Sequence, residues 1–193
     1  MADVFFTSDL HLGHAFVART RGFDNVADHD LAIEWAWTEA VRPGDHVWVL
    51  GDIAASSPAW ALDVLGRLPG VKHLILGNHD RAHPMHRDAY RQQAQYLDVF
   101  ASVQTAARRR IRGREVLLSH FPYDRDRDTF RFAQWRLRDE GVALLHGHTH
   151  GTERLSLSAR STPEIHVGVD AWGLAPVPLA TVEDLLASRP EVL

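Results

Sequence analysis

The chain has 193 residues, of which 45% are hydrophobic and 24% charged, with a formal charge of −4. These values fit a single globular domain over 1–193 and argue against disorder, a membrane-spanning helix and a broad electrostatic grip on long nucleic acid. The absence of cysteine excludes disulfides and thiolate zinc sites, so any metal must take nitrogen and oxygen ligands.

In chain order, Met1-Ala2-Asp3 runs into a strand-like segment, not a basic and then apolar leader, which predicts a cytosolic protein. Positions 4 to 8 read as a buried strand stopped by Asp9. Asn25 is the predicted N-cap of a helix over 26 to 41, with Ile33, Trp37, Ala40 and Val41 on one face. A second strand over 46 to 50 ends at Gly51-Asp52, and a second helix is expected over 58 to 68 behind Ser57. The third strand, 71 to 76, stops at Gly77-Asn78-His79-Asp80. This β-α-β-α-β order predicts right-handed crossovers between parallel neighbours, which carries the three polar strand ends to one sheet edge, where α/β proteins place ligands.

The second half is richer in strands. A hairpin turn is predicted over 111 to 115 before a strand closing at His120. A helix is expected over 129 to 140, stopped by Gly141, and then a strand over 142 to 145 leading into His146-Gly147-His148-Thr149-His150. One more strand is expected over 165 to 169, and Thr181 is the predicted cap of a short C-terminal helix carrying Leu185 and Leu186.

Carboxylate, amide oxygen and imidazole suit hard and borderline divalent cations, and here they recur where strands give way to loops. In extended backbone the Asp9-Leu10-His11 spacing puts both polar side chains on one side. A carboxylate is the simplest side chain able to bridge two ions, and Asp52 suits that role.

Asp9-Leu10-His11, Gly51-Asp52, Gly77-Asn78-His79-Asp80, His120 and Gly147-His148-Thr149-His150 resemble, in order, the five motifs of calcineurin-like metallophosphoesterases. Ser8 to His14, Ser119 to Tyr123 and Val167 to Asp170 are further similar to the small, capless bacterial and phage members. The resemblance implies an α/β fold, a four-layer αββα sandwich of two mixed β-sheets flanked by helices. It implies two divalent metal ions, the first held by Asp9, His11, Asp52 and His150, the second by Asn78, His120 and His148 with Asp52 shared. His79 maps to the catalytic acid, and Asp80 is expected to orient its imidazole. Two divalent cations outweigh the charges of Asp9, Asp52 and a bridging hydroxide, so the site should attract a phosphate anion and hydrolyse it. Manganese is the first expectation, with zinc, iron, nickel and cobalt compatible with the same ligands.

The expected substrate is a small phosphodiester, for instance a cyclic nucleotide, because a chain of this length leaves little room for a cap domain. Phosphomonoesterase, nuclease and non-hydrolytic scaffold readings stand as alternatives. His14 is a substrate-side candidate. Arg19 and Arg21 are read as exposed turn residues, and the arginines from Arg108 to Arg114 as a protected sheet edge. Asp124-Arg125-Asp126-Arg127-Asp128 is expected to be a self-paired surface loop at the mouth of the site. Trp35, Trp37, Trp48 and Trp60 are assigned to core packing, and His29, His46, His73, His83, His86, His146 and His166 receive no role.

Overall fold

A computed structural model describes residues 2–55, 57–124, 126 and 131–188. The first half alternates strand and helix: β1 (Val4–Thr7), α1 (Ala15–Thr20), α2 (Val26–Ala40), β2 (His46–Val49), α3 (Ala59–Arg67), β3 (Val71–Ile75), α4 (Ala89–Leu97) and β4 (Ser102–Gln104). The second half contains β5 (Ala106–Ile111), β6 (Arg114–Ser119), β7 (Ala143–His146), β8 (Leu155–Leu157), β9 (Pro163–His166), β10 (Val177–Pro178) and α5 (Leu179–Ala187).

Two five-stranded mixed sheets result, ordered β10-β1-β2-β3-β4 and β5-β6-β7-β9-β8. Strands β1, β2 and β3 are parallel, as the alternating order predicts, β4 extends the parallel set beside β3, and β10 adds antiparallel to β1. In the second sheet β6, β7 and β9 are parallel, with antiparallel β5 and β8 outside them. The alternation along β2 sorts its side chains. Val47 and Val49 join Ile33, Trp37, Leu65 and Tyr96 under α2, α3 and α4, while Trp48 and Leu50 face the second sheet with Phe6, Leu118 and Ile165. Each such buried large side chain contributes about 1.5–3 kcal/mol. Helix α5 packs against β1, β9 and β10, and its Val182 and Leu186 enter the cluster between the sheets.

Asn25 caps α2 as predicted, accepting from the backbone N–H of Asp28. Other local expectations are corrected. The predicted helix over 129 to 140 is, within the described residues, one 3-10 turn, Ala133–Trp135, preceded by Phe132 in the left-handed region at φ 60°. Arg136 then leaves helical geometry to reach Pro122 and Asp126. Positions 129 and 130 lie outside the described residues. Thr181 sits inside α5, not at its cap, because the helix begins directly after the β10 pairing of Pro178 with Phe5. Trp37 and Trp48 are buried, but Trp35 and Trp60 are 69% and 50% exposed. Trp35 falls on the α2 face opposite Ile33 and Trp37, so the helical period turns it outward.

Candidate metal centre

Every predicted ligand follows the C-terminal end of a strand, and the two sheets meet there. Ser8, after β1, bridges in parallel to Gly168 after β9, and the loop after β1 pairs onward through Asp9 N–H to Gly51 and His11 N–H to Asp52. Because both sheets are parallel at their centres, all these ends emerge on one side. The backbone there is bent sharply. Asp9, His11, Asp52, His148 and His150 all have positive φ, between 48° and 71°, a conformation costly for residues with a Cβ. Gly147 lets the second sheet approach the first, since a Cβ there would overlap Ser8 Oγ and the Asp9 carboxylate.

Two groups of ligand atoms are brought together, Asp9 with His11 and His150, and Asp52 with His120 and His148, the atoms of each lying within 4.8 Å of one another. Asp52 Oδ2 faces both groups, 3.7 Å from His11 Nε2 and 3.4 Å from His120 Nε2. Asn78 Oδ1 lies 3.2 Å from His120 Nε2. All seven predicted ligands therefore converge on one cluster.

The outer hydrogen bonds of three histidines decide what this cluster can hold. His120 Nδ1 is 2.7 Å from the Leu50 carbonyl, His148 Nε2 2.8 Å from Asp126, and His150 Nδ1 3.0 Å from Asp170. Each partner is an acceptor, so each ring donates outward and turns its other nitrogen, a bare lone pair in the neutral ring, toward the centre. There His120 Nε2 and His148 Nδ1 approach to 3.2 Å, and His11 Nε2 and His150 Nε2 to 3.1 Å. The His120 and His148 lone pairs repel at this distance unless a proton or a metal ion lies between them, a neutral His11 can meet His150 as a donor, and the all-N/O donor set fits divalent ions. Burial opposes charging His120, but Asp52, its hydrogen bond to that ring and Asp9 push the pKa up to about 9. Burial likewise disfavours charge on Asp52, yet His120 and His11 hold it far below the ordinary carboxylate range.

His79 is exposed beside this cluster, its ring centroid 5.4 Å from that of His11, and its backbone N–H donates to Asp52 Oδ1 at 2.9 Å. Asp80 does not orient that ring. Its buried carboxylate accepts from the backbone N–H groups of Gly77, Asp52 and Ile53, which ties the loops after β2 and β3 together. His14 caps α1, its Nδ1 accepting from Val17 N–H, which leaves Nε2 for other contacts.

Arg21 is not an exposed turn residue. Its side chain is 6% exposed and forms a two-pronged pair with Asp170, while also donating to the Asp9 and Leu10 carbonyls. It continues to His29, which is paired with Asp30, and Asp30 accepts from Gly13 N–H and Trp60 Nε1. The arginine thus fixes both the ligand loop and the partner of His150. Asp126 pairs with Arg136 and His148, while Arg125, Arg127 and Asp128, on which the expected self-pairing of this loop depends, lie outside the described residues. Among the histidines given no role, His146 and His166 are buried against the site, with His166 Nε2 3.9 Å from Asp9 Oδ2, and His86 lies 3.0 Å from the Asn78 carbonyl. Arg108 and Arg110 are exposed as a sheet edge requires, but Arg109 is half-buried over Trp48. The Val167-Gly168-Val169-Asp170 wording was the available signal for Asp170; nothing in the local sequence marks Arg21 as its partner.

Residues 3–160 match the calcineurin-like phosphoesterase superfamily domain. The gene 66 protein of Mycobacterium phage D29 is 52% identical over 182 residues, covering 89% of this chain and 90% of the phage protein. That of Mycobacterium phage L5 is 46% identical over 185 residues, covering 90% of this chain and 89% of the phage protein. Among solved structures, protein AQ665 of Aquifex aeolicus superposes with a TM-score of 0.74 at 22% identity, covering 96% of this chain and 100% of that one. Phosphopantetheinyl hydrolase of Mycobacterium tuberculosis shares the fold at a TM-score of 0.53 and 14% identity, covering 87% of this chain and 89% of that one. The motif order, the strand-end geometry and the domain match agree, and the chain belongs to the calcineurin-like phosphoesterase superfamily.

Proposed function

We propose that the protein is a hydrolase of small phosphodiesters that works with two divalent metal ions, manganese first among them. The observation that carries this reading is the set of outward-donating histidines, His120, His148 and His150, whose inner nitrogens meet Asp9 and His11 in one group and Asp52, beside Asn78, in the other. When bound, the ions supply a nucleophilic water and Lewis acidity toward phosphoryl oxygens.

The remaining chemistry falls to the chain's own groups. Asp52 stays ionised and shares its carboxylate between the two ligand groups. Asn78 contributes an amide oxygen without adding negative charge, which keeps the site attractive to a phosphate ester. His79, exposed to the cleft and anchored through its N–H to Asp52, protonates the departing oxygen.

Initial rates on bis-p-nitrophenyl phosphate and on p-nitrophenyl phosphate, at matched manganese, test the substrate class. Faster diester hydrolysis is expected, and a monoester preference of about tenfold or more overturns it. His79→Ala should retain metal and lose roughly 10²–10⁴-fold in rate on alkyl esters, with a smaller loss on p-nitrophenyl esters, whose leaving group needs less protonation. Equal losses on both would remove His79 as the acid.

A further inference from the structure

Beside the ligand groups lies an open cleft of about 580 Å3. Asn78, His79 and His148 line it near the ligand groups, and Phe16, Val17 and Arg131 also border it. Its volume falls within the range of small-molecule sites and exceeds what a bare phosphate fills, so the cleft accommodates an ester substituent as well.

Phe16 is the feature the hydrolytic chemistry leaves unused. Phe5, Phe6, Phe100 and Phe121 are buried, whereas Phe16 is 64% exposed on α1. Helix α1 buries only Ala18, so Phe16 is held at the rim of the cleft and contributes little to the core. The capping bond from Val17 N–H to His14 fixes the first turn of α1, and the His14 ring stands edge-on to Phe16 with centroids 6.4 Å apart. His14 is in turn 5.9 Å from the ring of His11. One imidazole therefore stands between the exposed ring and a metal-ligand candidate, on the border of the same cleft.

We propose that Phe16 is a specificity-determining residue, a ledge on which the nucleobase of a nucleoside phosphate ester stacks while the phosphate lies at the ligand groups. This rests on the phosphoesterase reading and narrows its substrate class. An exposed phenyl face is suited to a flat partner, because stacking buries both apolar faces without requiring a hydrogen-bond match, and it accepts any base.

Calorimetric titration of the manganese-loaded protein with AMP and with ribose 5-phosphate isolates the base, since the two ligands share sugar and phosphate. AMP is expected to bind roughly 5- to 100-fold more tightly, the range that one base stacked on an aromatic ring supplies. Phe16→Ala should bring the ratio close to one, Phe16→Trp should preserve it, and Leu31→Ala, at an exposed apolar position on α2, should leave it at the wild-type value. AMP binding no more tightly than ribose 5-phosphate overturns the ledge, as does a ratio that survives in Phe16→Ala. Wild-type hydrolysis of bis-p-nitrophenyl phosphate is scored separately, so an inactive protein refutes the hydrolase reading, and an active one without base preference refutes only the ledge.

Discussion

At the scale of single residues, the site is also held by side chains outside the seven predicted ligands. Asp170 accepts from His150 and from Arg21, and Arg21 reaches the carbonyls of Asp9 and Leu10, so one carboxylate supports two of the three atoms in the first ligand group. Burial disfavours its charge, but His150 and Arg21 keep Asp170 well below the ordinary carboxylate range. Asp170→Asn should weaken the ion held by Asp9, His11 and His150 about 10- to 100-fold. The Asp52, Asn78, His120 and His148 group, whose outer partners are Leu50 and Asp126, should keep its ion. Metal stoichiometry and a two-phase binding isotherm read this directly, and equal loss from both groups would show that the pair acts on the fold as a whole.

At the scale of elements, the hairpin between β5 and β6 shows how a turn can match its strands without its best sequence. Arg112 and Gly113 both take positive φ, 47° and 79°, the pattern of a type I′ turn, in which Asn-Gly is preferred. Arg112 bears that backbone cost while pairing with Glu183 and Asp184 from a half-exposed position, where such pairs contribute little. Arg112→Asn should therefore raise stability by about 0.5–1 kcal/mol in chemical denaturation. A loss of stability would mean that the link to α5 outweighs the turn. The hairpin itself is legible in the sequence because Gly113 lies between two strand-like runs. The region over 131 to 140 is not, because Arg136, helix-forming in isolation, instead extends to Pro122 and Asp126, which are distant in the chain.

At the scale of the molecule, the metal centre sits where the two sheets join, so cation binding should stabilise the whole fold. Manganese at about a hundredfold over its dissociation constant should raise Tm by roughly 5–10 °C, and a chelator should reverse the shift. A Tm indifferent to both would contradict binding at this junction. The buried His83 gives a second global signal. Burial, and then the charge of His120, push its pKa down to about 4. The unfolded chain thus binds more protons between that value and the ordinary histidine pKa, and the stability tied to neutral His83 is present above about pH 6.5 and lost as pH falls toward 4. Relative to His83→Gln, the wild type should lose up to about 3 kcal/mol across that window. Parallel pH profiles for the two proteins would exclude the effect.

The sequence by itself determined the family, the parallel order of β1, β2 and β3, and the seven polar positions that come together at the candidate metal centre, because each is a local event: an apolar run of strand length, a turn, and a polar residue where the strand ends. Tertiary structure decided what lies behind those ligands. Arg21, Asp126 and Asp170 meet their partners across separations of 8 to 149 positions, and Asp80 gives its carboxylate to backbone N–H groups up to 28 positions away. The contact of Trp60 Nε1 with Asp30, 30 positions away, belongs to the same class. Such contacts leave no periodic trace in the chain, since they arise only when two sheets close on one another and bring buried polar groups within reach of a partner.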